Sequence, residues 1–273
     1  MRRLILTVLT LATVAAGELV AQQELANPLV PAKARPRIYV GPVVGYNRSL
    51  HASGFQSISD DALCPDFTQG SGNGYYFGVS AEYLLGSPKD SKSSIIARVV
   101  YSYMPAYYEE PGDRLPSLDA NGEVVYSTVR HVAEIKYSVI DIEAIYKLNL
   151  FDSNFGVVVG PTVGIVVGSE REQRMELVEP LNAVFSDEAL ADLGIPNPEY
   201  VNGGRGIITG RDDIPGKSPV RIAVKAGAQY EIPIGRLLLV PCLYYNFGIT
   251  EVSPEDNLRI NALQTGIDLR FAL

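Results

Sequence analysis

The feature that most constrains this chain is an alternation of apolar and polar residues with a period of two. In the final segment, "LQTGIDLRFAL" (263–273), every second residue is apolar or nearly so and the residues between are small or polar. A period of two indicates an extended strand whose two faces meet different surroundings. The apolar face of such a strand could line a soluble core or face lipid, so the rest of the chain must decide between these alternatives.

Eight segments of the sequence show this alternation. They cover approximately residues 36–47, 75–86, 94–107, 128–150, 154–169, 219–232, 237–250 and 259–273. Each ends at a cluster of turn-forming Gly, Pro, Asn, Asp or Ser residues. Helical periodicity is almost absent; the one helix candidate is "SDEALADLG" (186–194), with Ser186 as N-cap and Gly194 as C-terminal cap. The pattern predicts an all-β protein with one short helix inside a connection.

The connections between the segments alternate between short and long. The short ones are 87–92, 151–154 and 233–236, and the long ones have lengths of about 27, 20, 49 and 8 residues. In an antiparallel order all short links lie at one end of the sheet and all long links at the other. This sorting is typical of bacterial outer-membrane barrels. We therefore predict an eight-stranded antiparallel up-and-down transmembrane β-barrel over residues 36–273, with short periplasmic turns, long extracellular loops and 171–218 as the longest loop.

The two faces of the predicted strands differ in charge. The apolar face carries no charged residue, as expected of a face that meets lipid, where a misplaced Lys or Arg costs about 2–4 kcal/mol near the midplane. The other face is rich in glycine, which makes room for large side chains in a narrow barrel. We predict that its charges pair with one another inside the barrel, and that Glu82 and Arg98 face each other across the first hairpin. The predicted interior charge network is Arg37, Glu82, Arg98, Asp141, Glu143, Lys147, Arg221, Lys225, Glu231, Asp268 and Arg270.

The N-terminus predicts export. Two arginines, a short apolar run and small residues are typical of a secretory signal peptide, here 1–21, with cleavage after Gly17 or Ala21 as alternatives. Residues 22–35 then form a short irregular lead-in. No later apolar run reaches the length of a membrane-spanning helix. The formal net charge of -8 argues against binding to nucleic acid.

The chain resembles the porin-family outer-membrane barrel domain of the PorT-like kind and, in architecture, the small OmpA/OmpX-type barrels. The resemblance rests on four segments: "YVGPVVGYN" (39–47), "SVIDIEAIYKLNL" (138–150), "VVVGPTVGIVVG" (157–168) and "TGIDLRFAL" (265–273). It implies an outer-membrane location, and its PorT-like members imply a role in protein secretion or envelope assembly. The connection of about 49 residues is longer than such barrels usually carry.

The sequence offers little for catalysis. His131 has no serine two residues later, as lipid A-modifying barrel enzymes would require, and His51 lies in a predicted loop. The segment "GGRGIITGRDD" (203–213) lacks the spacing of a phosphate-binding loop and is interpreted as a flexible loop. Acidic clusters at 60–66 and 109–113 lack the ligand spacing of a calcium loop. We expect no enzyme activity, no metal and no cofactor, and no disulfide between Cys64 and Cys242.

Three functions remain open from the sequence. The first is an integral outer-membrane barrel with a plugged interior that acts structurally or through acidic surface loops, whose formal charge is -13 in total. Its expected partners are membrane lipid and lipopolysaccharide, and envelope or secretion proteins bound through the loops. The second is a secretion or envelope-assembly component of the PorT-like kind. The third is a secreted lipocalin-like carrier with its apolar face turned inward.

Overall fold

The computed structural model describes residues 36–273 except for 57–64, 87–90, 120, 152, 193–194 and 196. The predicted signal peptide (1–21) and lead-in (22–35) lie outside the described residues, as do Cys64 and the predicted helix cap Gly194. Among the described residues, no helix is long and apolar enough to cross a membrane.

The described chain is almost entirely β-structure, as the alternation predicts, and its strand pairings are antiparallel. The single described α-helix, α1 (Asp187–Asp192), directly follows the predicted N-cap Ser186, and a 3₁₀ turn spans Asn202–Gly204. The strands are β1 (Ile38–Gln56), β2 (Asp66–Leu84), β3 (Ser93–Tyr103), β4 (Ala106–Leu118), β5 (Val124–Asn149), β6 (Phe155–Glu179), β7 (Glu199–Val201), β8 (Gly206–Asp213), β9 (Val220–Tyr230), β10 (Ile232–Ile234), β11 (Leu237–Gly248) and β12 (Arg259–Ala272).

Eight of these strands form an unbroken circuit of antiparallel pairs. β1 pairs with β2 on one side and with β12 on the other. From β2 the pairing continues through β3, β5, β6, β9 and β11 to β12. Each of the eight strands overlaps one alternating segment of the sequence, although β1, β2 and β6 extend well beyond the predicted bounds. Four further strands, β4, β7, β8 and β10, do not belong to this circuit.

Beyond the circuit, β5 and β6 continue into a second region that we call the head. There β4 pairs with the first half of β5, β8 pairs with the last part of β6, and β7 pairs with β8. The predicted long loop 171–218 is therefore mostly ordered, because it contains the end of β6, α1, β7 and β8. The flexible-loop interpretation of 203–213 is wrong for residues 206–213, which form β8.

A small apolar core holds the head together. Its members come from the inner faces of β5, β6 and β8 and from the segment around α1: Val129, Met175, Leu177, Ala183, Phe185, Leu190 and Ile207. Arg205 fastens the turn after β6, because its guanidinium donates to the carbonyl oxygens of Leu177 at 2.7 Å and Pro180 at 3.1 Å.

The strand register corrects one prediction. Glu82 pairs with Ile96 and Arg98 pairs with Ser80, so Glu82 and Arg98 do not face each other. The prediction placed the centre of the hairpin one residue too late in the chain, which shifts every partner by two residues. The β5–β6 register shifts between Ser138 and Val139, and β5 is continuous across this shift.

Glycines face large side chains within the circuit. The ring of Tyr76, which is 2% exposed, lies where a Cβ on Gly45 or Gly266 would be, with Tyr76 atoms 2.4 and 2.3 Å from those two positions. Two strands, β1 and β12, thus make room for one aromatic ring of β2. Such size matching lets a narrow interior accommodate a large side chain.

Candidate functional site

The inner face of the eight-strand circuit gathers most of the charged residues that alternation assigns to it. Nine of the eleven are buried, each with no more than 2% of its surface exposed. They are Glu82, Arg98, Asp141, Glu143, Lys147, Arg221, Lys225, Asp268 and Arg270. Glu231 is half-buried, and its carboxylate contacts the ammonium of Lys147. We call these ten residues the interior charge cluster.

Arg37 does not belong to this cluster. Its side chain is exposed, because β1 begins only at Ile38 and Arg37 lies at the end of the strand. It was assigned to the inner face because it lies an even number of residues from inner-face positions of β1. This spacing predicts the direction of a side chain only within a strand, and Arg37 precedes the strand.

Glu82 lies at the centre of one half of the cluster. Its carboxylate accepts from Arg270 at 2.5 Å and also contacts Lys147 and the hydroxyl of Ser94. Lys147 in turn bridges Glu82 to Glu231. Glu82 lies on β2, and these partners come from β3, β5, β12 and the residue after β9, so the contacts join distant strands across the interior.

Asp268 forms a second centre beside it. It accepts from Arg98 at 3.0 Å, from Arg270 at 2.8 Å and from the Ser80 hydroxyl at 2.6 Å. Arg98 also donates to the hydroxyl of Tyr244 at 2.9 Å, and its guanidinium lies 5.0 Å from the centre of that ring. A carboxylate with three donors is well compensated for the loss of water.

The remaining charges continue the cluster toward the head. Glu143 contacts Lys225, and its other oxygen lies 3.9 Å from Arg98. Arg221 lies 3.9 Å from Asp141 and donates to the carbonyl oxygen of Ile260 at 2.9 Å.

The cluster is electrically balanced. It contains five positive residues and five negative ones, and each has an opposite charge within 4.0 Å. Removing one partner of such a buried pair leaves an uncompensated charge, which typically costs about 3–5 kcal/mol. The arrangement thus fixes the relative positions of the strands and leaves no net charge that would attract an ion.

Toward the head, a cluster of buried apolar residues lies beyond the charge cluster. We call this group the apolar plug: Phe55, Phe67, Met104, Ala106, Tyr108, Ala133, Ile135, Tyr137, Val139, Ile214, Val252, Leu258, Ile260 and Ala262. Three of its aromatic rings touch, with centroids 5.1–5.8 Å apart.

His51 lies against Tyr108, and its Nε2 is 3.2 Å from the carbonyl oxygen of Met104. The pKa of His51 is lowered to about 3, mainly because the ring is buried; the contact with the Met104 carbonyl oxygen opposes this shift, and the charge of Arg221 adds to it. His51 is therefore neutral at physiological pH.

The outer face of the circuit carries a continuous apolar belt. Its side chains are large and exposed, for example Val79 at 61% and Leu243 at 54%. On β2 the belt covers 75–83, on β5 140–148 and on β12 263–271, with no charged residue on the outer face of these stretches. Toward the head the same face becomes charged abruptly: Lys136 on β5 pairs with Glu170 on β6, directly beyond the belt.

His131, Ser127 and Cys242 do not form a common site with His51, which lies against Tyr108 of the apolar plug. His131 is buried on β5 in the head, with its ring where a Cβ on Gly112 would be. The hydroxyl of Ser127 contacts the hydroxyl of Ser117. Cys242 is buried, and its sulfur lies 3.7 Å from the hydroxyl of Tyr76. Within the described part of the chain, no three His, Cys, Asp or Glu residues are grouped so that they could hold a metal ion.

Sequence reasoning missed the uncharged members of the site. Tyr244, Gln229, Ser80 and Ser94 all contact the charge cluster, and each lies on the inner parity of its strand. Counting polar as well as charged residues on that parity would have found them. The apolar plug could not be predicted in this way. Its residues come from several strands and connections, and alternation within one strand does not show which strands lie together.

Comparison with known proteins gives weak likenesses only. No family model and no curated protein matches the chain. Among solved structures, Neisserial surface protein A is similar with a TM-score of 0.31 and 14% identity over 85% of this chain and 99% of that one. Ail, the attachment invasion locus protein of Yersinia pestis, has a TM-score of 0.35 and 10% identity over 87% and 99%. Likenesses of this strength indicate neither a family nor a function for this chain. Its function is therefore proposed from its own geometry.

Replacing Arg270 with Met should destabilise the protein strongly, because Glu82 and Asp268 would lose a shared buried partner. We expect a loss of about 3–5 kcal/mol in the free energy of unfolding, measured by urea titration in detergent micelles or lipid vesicles. The control is Lys136→Met, which removes a cation that is 57% exposed and should cost less than about 1 kcal/mol. Equal losses in the free energy of unfolding for the two substitutions would show that the interior cluster does not stabilise the fold.

Proposed function

We propose that this chain is an integral protein of the bacterial outer membrane. In this proposal the eight-strand circuit spans the bilayer as an antiparallel barrel, the links at 85–92, 150–154 and 231–236 face the periplasm, and the head lies outside the cell. The interior is closed by the charge cluster and the apolar plug. The protein acts through its head and not by conducting solutes.

The observation that carries this proposal is the apolar belt with its abrupt charged boundary. Each uncharged outer stretch is about nine residues long, which matches the roughly 9–11 residues of a tilted transmembrane strand. A water-soluble protein rarely exposes so large a continuous apolar surface. Polar pairs follow the belt on the side of the head: Arg48 with Asn73 on β1 and β2, Lys136 with Glu170 on β5 and β6, and Arg259, the first residue of β12, with Glu251.

Aromatic residues support the same boundary. Tyr75, Phe77, Tyr101 and Tyr103 form a contact group on the outer face of β2 and β3, with centroids 5.3–6.4 Å apart. The group lies at the head end of the belt. Outer-membrane barrels carry aromatic girdles at this level, where the hydrocarbon meets the head groups.

The closed interior supports a role other than diffusion. Eight strands enclose room for side chains and not for an aqueous channel. Here that room holds a neutral ion-pair cluster at one level and the apolar plug at the next. A solute would have to break buried ion pairs and then cross an apolar layer.

The lipocalin-like alternative requires the apolar face to line the interior. In the structure Phe271 is 49% exposed on the outer face, whereas Asp268 and Arg270 are fully buried. The arrangement is the reverse of what a carrier for an apolar ligand needs. A secretion or envelope-assembly role of the PorT-like kind remains a prediction from the sequence resemblance, as do binding to lipopolysaccharide and the absence of catalysis.

Surface labelling in intact cells tests location and orientation together. In a background with Cys64 and Cys242 replaced by Ala, Leu181→Cys and Phe151→Cys place thiols at side chains that are 82% and 94% exposed at opposite ends of β6. We expect a membrane-impermeant maleimide to label position 181 in intact cells and position 151 only after permeabilisation, with both variants in the detergent-extracted outer-membrane fraction. Recovery in the osmotic-shock fluid, or labelling of position 151 alone, would contradict the proposal.

Conductance in planar bilayers tests the closed interior. We expect the inserted wild-type protein to give no steady open current at neutral pH, because the cluster and the plug block the interior in series. Heat-modifiable migration on gels should show that the inserted sample is folded. Steady open-channel currents from folded protein would refute the closed interior without affecting the proposed location.

A further inference from the structure

The head carries an open groove of about 450 Å³ that plays no part in spanning the bilayer or in closing the interior. It is lined by Arg114, Tyr126, Thr128, Glu179, Pro180 and Leu181. Arg114, Thr128 and Glu179 form one cross-strand row, because Thr128 on β5 pairs with Arg114 on β4 and with Glu179 on β6. The groove therefore lies across three strands of a sheet.

Two apolar side chains are unusually open to solvent at this groove. Tyr126 is 72% exposed and Leu181 is 82% exposed. Leu181 belongs to the turn that Arg205 fastens through its bonds to backbone carbonyl groups. The backbone of this side of the groove is thus held to the head, although the side chain of Leu181 is exposed to solvent.

The two charged side chains of the groove are not engaged in ion pairs with other described residues. Arg114 and Glu179 are exposed, and neither has an oppositely charged partner within 4.0 Å among the described residues. The neighbouring row differs, because Arg130 there lies between Glu109 at 3.0 Å and Glu176 at 2.6 Å. The charges of that row are satisfied internally, whereas those of the groove are not.

The groove offers one positive charge and one negative charge, so it favours neither polyanions nor polycations. It provides guanidinium donors, carboxylate acceptors and a hydroxyl that does both. Beside them lies the ring of Tyr126, a large apolar surface. A ligand that complements this set is uncharged, presents many hydroxyl groups and has a flat C–H face.

We propose that this groove binds a neutral carbohydrate, with the C–H face of a sugar ring on Tyr126 and its hydroxyls bonded to Arg114, Glu179 and Thr128. An apolar peptide anchor would instead require a pocket that removes it from water. The exposed ring of Tyr126 provides a platform and not such a pocket.

The test uses the purified full chain in a detergent without a sugar head group, so it does not depend on the proposed location. Probes are neutral oligosaccharides of glucose, galactose and N-acetylglucosamine, with a sulfated polysaccharide and an oligolysine peptide as charged comparisons. Saturation-transfer NMR and calorimetry report binding. We expect binding of at least one neutral oligosaccharide, and a loss of about tenfold or more in affinity for Tyr126→Ala.

Matched variants separate the groove from the rest of the head. Tyr126→Phe keeps the ring and should retain binding, and so should Tyr200→Ala, which removes another exposed tyrosine of the head that is 41% exposed. Glu179→Gln should weaken binding, because the amide is a poorer acceptor for hydroxyl protons. Failure of every neutral oligosaccharide at millimolar concentration, binding of the charged probes alone, or an unchanged affinity for Tyr126→Ala would overturn the assignment.

Discussion

The pairing of β1 with β12 is the interaction on which the rest of the structure depends. It joins the two ends of an antiparallel order, so that each of the eight circuit strands has a neighbour on both sides. Within a bilayer no water can bond to a free backbone amide, and a sheet is stable there only when it has no open edge. In the membrane location proposed above, closure therefore allows the outer face to be apolar without exposing unpaired backbone groups to lipid.

Closure also decides what the interior must contain. The inner faces of eight strands are close together, and glycines such as Gly45 and Gly266 accommodate the ring of Tyr76. Charged residues in so confined a space must be balanced, and the five positive and five negative groups of the cluster are. The same balance that stabilises the strands removes the electrostatic attraction that a conducting pore would offer to ions.

Alternation alone indicated segments that overlap the eight circuit strands and placed on one face nine charged residues that the structure buries, because a period of two is a local property. It could not give the register, which depends on where each turn begins, and so Glu82 was assigned the wrong partner. Nor did it indicate the head. β4 contains Pro111 and Pro116 and a register shift, and β7 has three residues, so neither strand alternates long enough to be recognised. The groove of Arg114 and Glu179 arises from pairing between strands and has no signature in the sequence.

The central claim is that the apolar belt faces lipid hydrocarbon, and single tryptophans test it directly because the native chain contains none. Val79→Trp places the probe in the belt, and Tyr126→Trp places it in the head. In vesicles whose lipid acyl chains carry bromine, the fluorescence of Trp at position 79 should be strongly quenched and that of Trp at position 126 unaffected, while aqueous acrylamide should quench only position 126. Quenching of position 79 by acrylamide and not by brominated lipid would contradict the claim.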